Sequence, residues 1–272
     1  MSLLARLAAG SLLTAFLVFS LAPFLWMVAA SLKPGDEQLI FGNPWWAASP
    51  DWSNYTKLLV SPLFLRWAGN TALVLLGTLA ISLGASILAA YALAHRRVPQ
   101  ARLLVVALFA TYLLPSGLLW LPMIKVVQAL GLADSPLALV VTYPGLIIPF
   151  ATWVLWNFFK DLPPDLVEQA RLEGAGDLRI LARVLLPVAL PVLAAVALFG
   201  IAITFNDYLY GLAFLSAPGA QTLISEVAHT SVDINDAGFT FAAILLGVAP
   251  VAVSCAFFAD TYAKGLGTGV ID

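Results

Sequence analysis

Six stretches of this chain contain no Asp, Glu, Lys or Arg: residues 7–32, 67–94, 103–124, 135–159, 184–206 and 237–259. Each is at least 22 residues long. At about 1.5 Å rise per residue, that length crosses the roughly 30 Å of hydrocarbon in a bilayer. Inside lipid every backbone N–H and C=O must find a partner within the protein, so a span is a helix or part of a closed barrel. The alternating pattern of a membrane barrel is missing. The expectation is an all-α membrane protein of six transmembrane helices, one domain over residues 1–272. A composition of 61% hydrophobic and 10% charged residues, with mean hydropathy +0.96, excludes a soluble enzyme, a nucleic-acid binder and a disordered chain. Net charge is −2, so nothing points to a polyanionic partner.

The first run follows Arg6 and ends in Ala29, Ala30 and Ser31, as a signal peptide would. Its 26 residues exceed the roughly 7–15 of a signal core, so it reads as an uncleaved helix. The basic residues set the orientation. With the N-terminus cytoplasmic, the inside set is Arg6, Arg96, Arg97, Arg102, Lys160, Arg171, Arg179, Arg183 and Lys264. The outside set is Lys33, Lys57, Arg66 and Lys125. Nine against four places both termini in the cytoplasm. Residues 33–66 are then an outside segment rich in Pro and Trp, readable as a headgroup belt or a docking surface. Residues 216–236 form a second outside loop, and 160–183 is the one long cytoplasmic loop. The two halves show no repeat of the kind that marks an inverted-repeat transporter.

Several chemistries are missing. No Gly-Lys dipeptide exists, hence no P-loop and no ATP site of that type. His95 and His229 fall on opposite sides of the expected membrane and cannot share a metal. A six-helix intramembrane protease is the enzyme alternative, but no histidine lies within any of the six runs. Thr78, Ser82, Ser86, Ala90 and Ala94 recur every fourth residue, a stripe of small side chains that reads as a helix-packing face. Cys255 lies in an apolar run and reads as a small core hydrophobe.

The cytoplasmic loop carries the sharpest pattern. From Pro163 it reads PPDLVEQARLEGAGDLRILARVLLP. Asp165 is a candidate N-cap with Glu168 completing a capping box. A short helix is expected from Leu166 to about Glu173, ended by Gly174 and Gly176, with Asp177 capping a second. Ala170 and Gly174, four apart, would face the same way and admit close approach by another protein. The competing reading is an amphipathic helix on the headgroups, its arginines on phosphates.

This loop resembles the EAA motif of binding-protein-dependent ABC importer permeases: E-A-A, three residues, G, nine residues, I, one residue, L-P. Glu168, Ala170, Gly174, Leu186 and Pro187 match at that spacing, with Gln169 in place of the other Ala and Val184 for the Ile. Further tags resemble the carbohydrate-uptake branch, and most of all the shorter permease of maltose-type systems. They are Ser31-Leu32-Lys33-Pro34, Asn54-Tyr55, Ala90-Tyr91-Ala92-Leu93-Ala94, Leu130-Gly131-Leu132, Asn206-Asp207-Tyr208 and Gln221-Thr222-Leu223.

The resemblance implies a multi-pass permease of the cell (inner) membrane that forms half of a translocation path for a carbohydrate, a di- or oligosaccharide. A polyamine or another solute is the alternative cargo. Implied partners are a second permease, two ABC ATPase subunits and an extracytoplasmic solute-binding protein, within the lipid bilayer and without nucleic acid. ATP and Mg would sit on the ATPase subunits, leaving this chain without a cofactor. Residues 160–187 would be the coupling loop, through Glu168, Gln169, Ala170, Gly174, Val184 and Pro187. Asn206, Asp207 and Tyr208 are candidates for the substrate path. They stand near the outer end of the fifth span, where a solvated vestibule position accounts for them equally well.

Overall fold

The computed structural model describes residues 3–34, 45–47, 49–96, 98–206, 208–229 and 237–267. Arg97 and Asp207 lie outside the described residues, as do the side chains of His229 and Lys264. Among the described residues every regular element is helical. Helix α1 is Leu3–Ser31, α2 Ser53–Val60, α3 Pro62–His95, α4 Ala101–Tyr112, α5 Ser116–Ala129, α6 Leu137–Thr142 and α7 Pro144–Asp161. Then come α8 Pro164–Leu172, α9 Asp177–Ile180, a π-turn at Leu181–Leu185, and α10 Leu186–Asn206. The chain ends in α11 Leu209–Phe214, α12 Leu223–His229 and α13 Ala237–Gly267.

Among the described residues, five helical segments are long and apolar enough to span a membrane: Ala9–Ser31, Pro62–His95, Leu137–Asp161, Asp177–Asn206 and Ala237–Ala256. The third expected span, 103–124, is not one straight helix. It is the pair α4 and α5, bent by 95°. The cause is local. Pro115 has no N–H to donate back along the helix and pushes Leu114 away from helical geometry. The ladder ends as Leu113 and Leu114 donate to Ala110 O and Thr111 O, and Pro115 O accepts from Leu118 N to open α5.

Helix α7 is the hub, flanked by α3, α4 and α10, while α13 lies beside α10 and α1 leans on α13. Lipid tails are as apolar as leucine, so helices associate here by close fit rather than by hydrophobic burial. The stripe on α3 supplies that fit: Thr78, Ser82, Ser86 and Ala90 are fully buried, and α7 is the helix α3 packs on most extensively. The Thr78, Ser82 and Ser86 hydroxyls make no hydrogen bond among the described residues. Glycines do the same elsewhere. A Cβ on Gly200 of α10 would stand 2.7 Å from Leu79 of α3. Outward faces are apolar, as at Phe16, Phe19 and Leu25 of α1, and call for a hydrocarbon solvent. Cys255 belongs to this outward class. It is exposed on α13 and not in the core.

The bundle has two ends. At the rim end the loop after α11 is tied to α3. Trp67 Nε1 donates to Pro218 O (2.7 Å), Asn70 Nδ2 to Gly219 O and Gln221 O (3.1 and 2.8 Å), and Leu223 N to Thr71 Oγ1 (2.9 Å). Asp134 Oδ1 accepts from Ser216 N and Ala217 N at 2.6 and 2.9 Å. Two of the sequence tags meet at the same end. Asn54 Nδ2 donates to Ser31 O at 3.1 Å, and the Ser31 and Tyr55 hydroxyls are 2.7 Å apart. The opposite end carries the EAA-like loop.

Candidate functional site

Helix α8 begins two residues earlier than the capping-box reading. Pro163 is the N-cap and Pro164 the first helical residue, and no side chain caps the end. Proline suits that position because its fixed φ is helical and its missing N–H would have no partner there. Asp165 is therefore inside the first turn, where its charge favours the helix dipole, and it caps nothing. Glu168 lies a turn farther along and is exposed.

The C-terminal end behaves as expected, with the geometry now explicit. Gly174 has φ +83°. Its N–H donates to Arg171 O and that of Ala175 to Ala170 O, both at 3.0 Å, the paired bonds of a Schellman turn. Leu130-Gly131-Leu132 closes α5 in the same way, with φ +66° at Gly131 and bonds to Gln128 O and Val127 O. Ala170 and Gly174 do not share a face. Ala170 is half-buried against the bundle beside Ala175, whereas Gly174 is exposed and a Cβ there would meet open space. The outward face of α8 is instead Asp165, Glu168, Gln169 and Leu172, with Leu172 89% exposed. Its inward face is Val167, 4% exposed. Leu178 adds a second exposed leucine just beyond Gly174.

Asp177 does not cap α9; Gly176 takes that place, and its carbonyl accepts from Arg179 N and Ile180 N. The Asp177 carboxylate instead joins three elements. Oδ1 accepts from Tyr91 Oη of α3 at 2.7 Å and stands 3.5 Å from Arg171 Nη2 of α8. Oδ2 accepts from Arg96 Nη2, at the residue that caps α3. This cluster was not legible in the sequence as a cluster. Tyr91 and Asp177 are 86 residues apart, and only the return of the chain past α7 brings them together.

Val184 and Pro187 mark a change of helix type. Leu186 N donates to Leu181 O, a five-residue step, so the turn just before Pro187 is a π-turn. The wider turn accommodates a proline that cannot bond back and would crowd a regular α-turn. Val184 is half-buried against the core, and Leu185 is fully buried. From Asp177 to Asn206 the chain is a single 30-residue helical rod.

At its far end that rod reaches a cavity of about 520 Å³. The break between α4 and α5 supplies one wall, from Thr111 to Gly117, and Ile203, Asn206 and Tyr208 another. Asn206 and Tyr208, two of the three residues suggested for the substrate path, thus face a common space. The signal for the other wall was the Leu-Leu-Pro step at Leu113–Pro115, which the unbroken-span reading overlooked.

The family described as binding-protein-dependent transport system inner membrane component matches residues 82–267, from the middle of α3 to the end of α13. The chain belongs to that family. Within it, this membrane component is 31% identical to a diacetylchitobiose uptake system permease protein of Streptomyces coelicolor, over 93% of this chain and 88% of that one. It is 28% identical to a sulfoquinovosyl glycerol transport system permease protein of Agrobacterium fabrum, over 97% and 92%. Its fold matches a chain of a bacterial ABC transporter involved in alginate import with TM-score 0.80 at 22% identity, covering 96% of this chain and 98% of that one.

Proposed function

We propose that this chain is the permease subunit of an ATP-driven ABC importer and forms half of the path for a saccharide. The whole chain acts as one transmembrane unit of six spans in the inner membrane, with the α4–α5 pair as the third. Both termini and the loop 160–187 face the cytoplasm, and the rim end faces outward. The observation that carries the reading is the solvent-facing surface of α8. Glu168, Gln169 and Leu172 project at the tip of the bundle beside an open Gly174, and an almost fully exposed leucine there suits a partner's groove. That partner is an ATPase subunit holding ATP and Mg. The saccharide class is supported by what the related permeases of Streptomyces and Agrobacterium are named for, two glycosides.

The mechanism follows from the connections. When two ATPase subunits close on ATP, they draw α8 toward the same loop of a second permease. The pull has two routes into the membrane. One passes through the Asp177 carboxylate to Tyr91 and Arg96 of α3. The other passes along the rod from Asp177 to Asn206, whose far end forms part of the cavity wall. A rigid helix of 30 residues spans roughly 44 Å, so a tilt at one end becomes a displacement at the other. A solute-binding protein delivers cargo at the rim.

The deciding experiment is reconstitution with the cognate ATPase and binding protein, measuring ATPase stimulation and uptake across neutral saccharides, uronates and spermidine. Stimulation by saccharides is expected; stimulation by spermidine alone would overturn the cargo. For the topology, Leu172→Cys and Ala217→Cys in a Cys255→Ala background should label from opposite sides. Labelling of both from outside would overturn the orientation.

A further inference from the structure

The tryptophan-rich stretch ahead of α3 takes no part in the coupling route. Within it, α2 is pinned along one side. Asn54 and Leu58, one turn apart, are buried. Asn54 Nδ2 donates to Ser31 O at 3.1 Å and to Lys33 O at 3.4 Å, and Asp51 N donates to Leu32 O at 2.8 Å. A Cβ on Gly238 would stand 2.8 Å from Asn54 Nδ2. Ser31 is the last residue of α1 and Gly238 the second of α13. Helix α2 therefore sits at the height where one apolar span ends and another begins. Ser61, in extended backbone, separates it from α3, and Ser61 Oγ accepts from Phe64 N to open the longer helix. The other side of α2 is apolar. At about 100° per residue, Trp52, Leu59 and Val60 fall opposite Asn54 and Leu58. Trp52 is 64% exposed and Val60 75%. The exposed apolar surface continues into Leu63 and Leu65 at the start of α3, and Trp45 and Trp46 are exposed as well. Lys57 is exposed on the flank.

We propose that α2 is an interfacial anchor, its Trp52–Leu59–Val60 face set in the headgroup zone of the outer leaflet with Lys57 at the lipid phosphates. The choice of leaflet rests on the orientation proposed above; the contact with lipid does not. Adjacent large apolar side chains on one face are poorly served by water and mark a surface that something covers. Continuity selects lipid as the cover. The patch runs into the outward face of α3, where Leu73 and Leu76 are exposed in the middle of a span that hydrocarbon surrounds. Indole rings favour the membrane–water boundary, being apolar in body and polar at the N–H. A helix with one such face lies about 5–10 Å into the boundary between headgroups and acyl chains. The Lys57 stem can follow apolar surface while its ammonium reaches a phosphate. The anchor also has a consequence for movement. Bonds from Asp51, Asn54 and Tyr55 hold the exit of α1, and one residue joins α2 to α3. With α2 set in the leaflet, those two span ends keep their depth while the opposite ends are pulled.

The test uses the full transporter in proteoliposomes of phosphatidylethanolamine and phosphatidylglycerol. A nitroxide is attached to Val60→Cys in a Cys255→Ala background, and its collisions with molecular oxygen and with a water-soluble nickel chelate are compared. Oxygen concentrates in lipid and the chelate in water. The ratio of oxygen to chelate collisions at position 60 should exceed severalfold that of the same label at Ala217→Cys, an exposed position on the rim loop. Adding Trp52→Ala should lower the ratio at position 60, whereas Trp52→Phe should keep most of it. Should Val60→Cys fail to reach the membrane, Leu59→Cys on the same face decides by the same ratio. A ratio at position 60 equal to that at 217 would overturn the anchor. So would a label shielded from both reagents, because protein rather than lipid would then cover the face; shielding that appears only after the solute-binding protein is added would assign it to that partner. Sidedness is read separately with an impermeant maleimide. Labelling of Ala217→Cys only from the side that carries the ATPase would overturn the orientation, and a high ratio at position 60 would then place the anchor in the other leaflet.

Discussion

The two ends of the bundle are fastened by different chemistry. At the rim, side chains of α3 and the α5–α6 connection bond to backbone atoms of residues 216–223 at several separate points. Such bonds fix the path of a loop whatever side chains the loop carries, and losing one leaves the others in place. At the motif end, the hydrogen bonds and ion pairs from α3 and α8 converge on the single carboxylate of Asp177. That set of polar bonds shares one acceptor group and has little redundancy. In the proposed coupling, the difference is what a lever needs: a rim that keeps its shape, and a polar grip centred on one carboxylate that can be rearranged.

The comparison can be broken or sharpened by four measurements. The largest expected effect is at the proposed docking surface. Gly174→Trp combines a side chain at φ +83° with bulk at an open site. The backbone strain costs about 1–2 kcal/mol and overpacking against a seated partner about 1–3 kcal/mol more. ATPase co-purification should be lost while membrane abundance is kept. Gly174→Ala carries the strain without the bulk and should retain most of it; equal loss in both would assign the whole effect to the helix end.

Next is Asp177→Asn, which keeps shape and removes charge. Hydrogen exchange across residues 164–180 should quicken several-fold, with residues 216–226 unchanged, and uptake per ATP hydrolysed should fall. Unchanged exchange at the motif end would show that the carboxylate is not the grip.

The third change tests redundancy at the rim. Asn70→Ala removes two hydrogen bonds to carbonyls. Thermal unfolding in detergent should report a loss of about 1–2 kcal/mol, within the usual range for unsatisfied buried groups. ATP coupling should be untouched. A coupling defect would mean that the rim also moves. The smallest effect separates two acids on α8. Asp165→Lys places a cation in the first turn and costs about 0.3–1 kcal/mol of helix stability. Glu168→Lys lies beyond that turn, so it should leave helix content alone and weaken only ATPase binding. Circular dichroism of the purified variants distinguishes them if the order is reversed.

Much of this molecule is set by one-dimensional physics. Lipid demands internally satisfied helices, so uncharged runs mark the apolar spans, and five of six appear as continuous helical segments. The stripe from Thr78 to Ala90 faces inward because small residues at four-residue spacing share a helix side. Gly174 ends α8 because a left-handed turn there suits glycine. Each of these depends on near neighbours in the chain, which is why spacing alone carries it. Other features needed the third dimension. Asp177 reads locally as a cap, and only the packing of α7 brings Tyr91 and Arg96 to it. Ala170 and Gly174 share a face on an ideal helix, yet the Schellman turn and the bundle separate them. Leu113–Pro115 reads as part of a span, and it lines a cavity because the end of α10 lies across from the bend. Local sequence determines which bonds the backbone can make; which side chains meet across the fold is decided by packing.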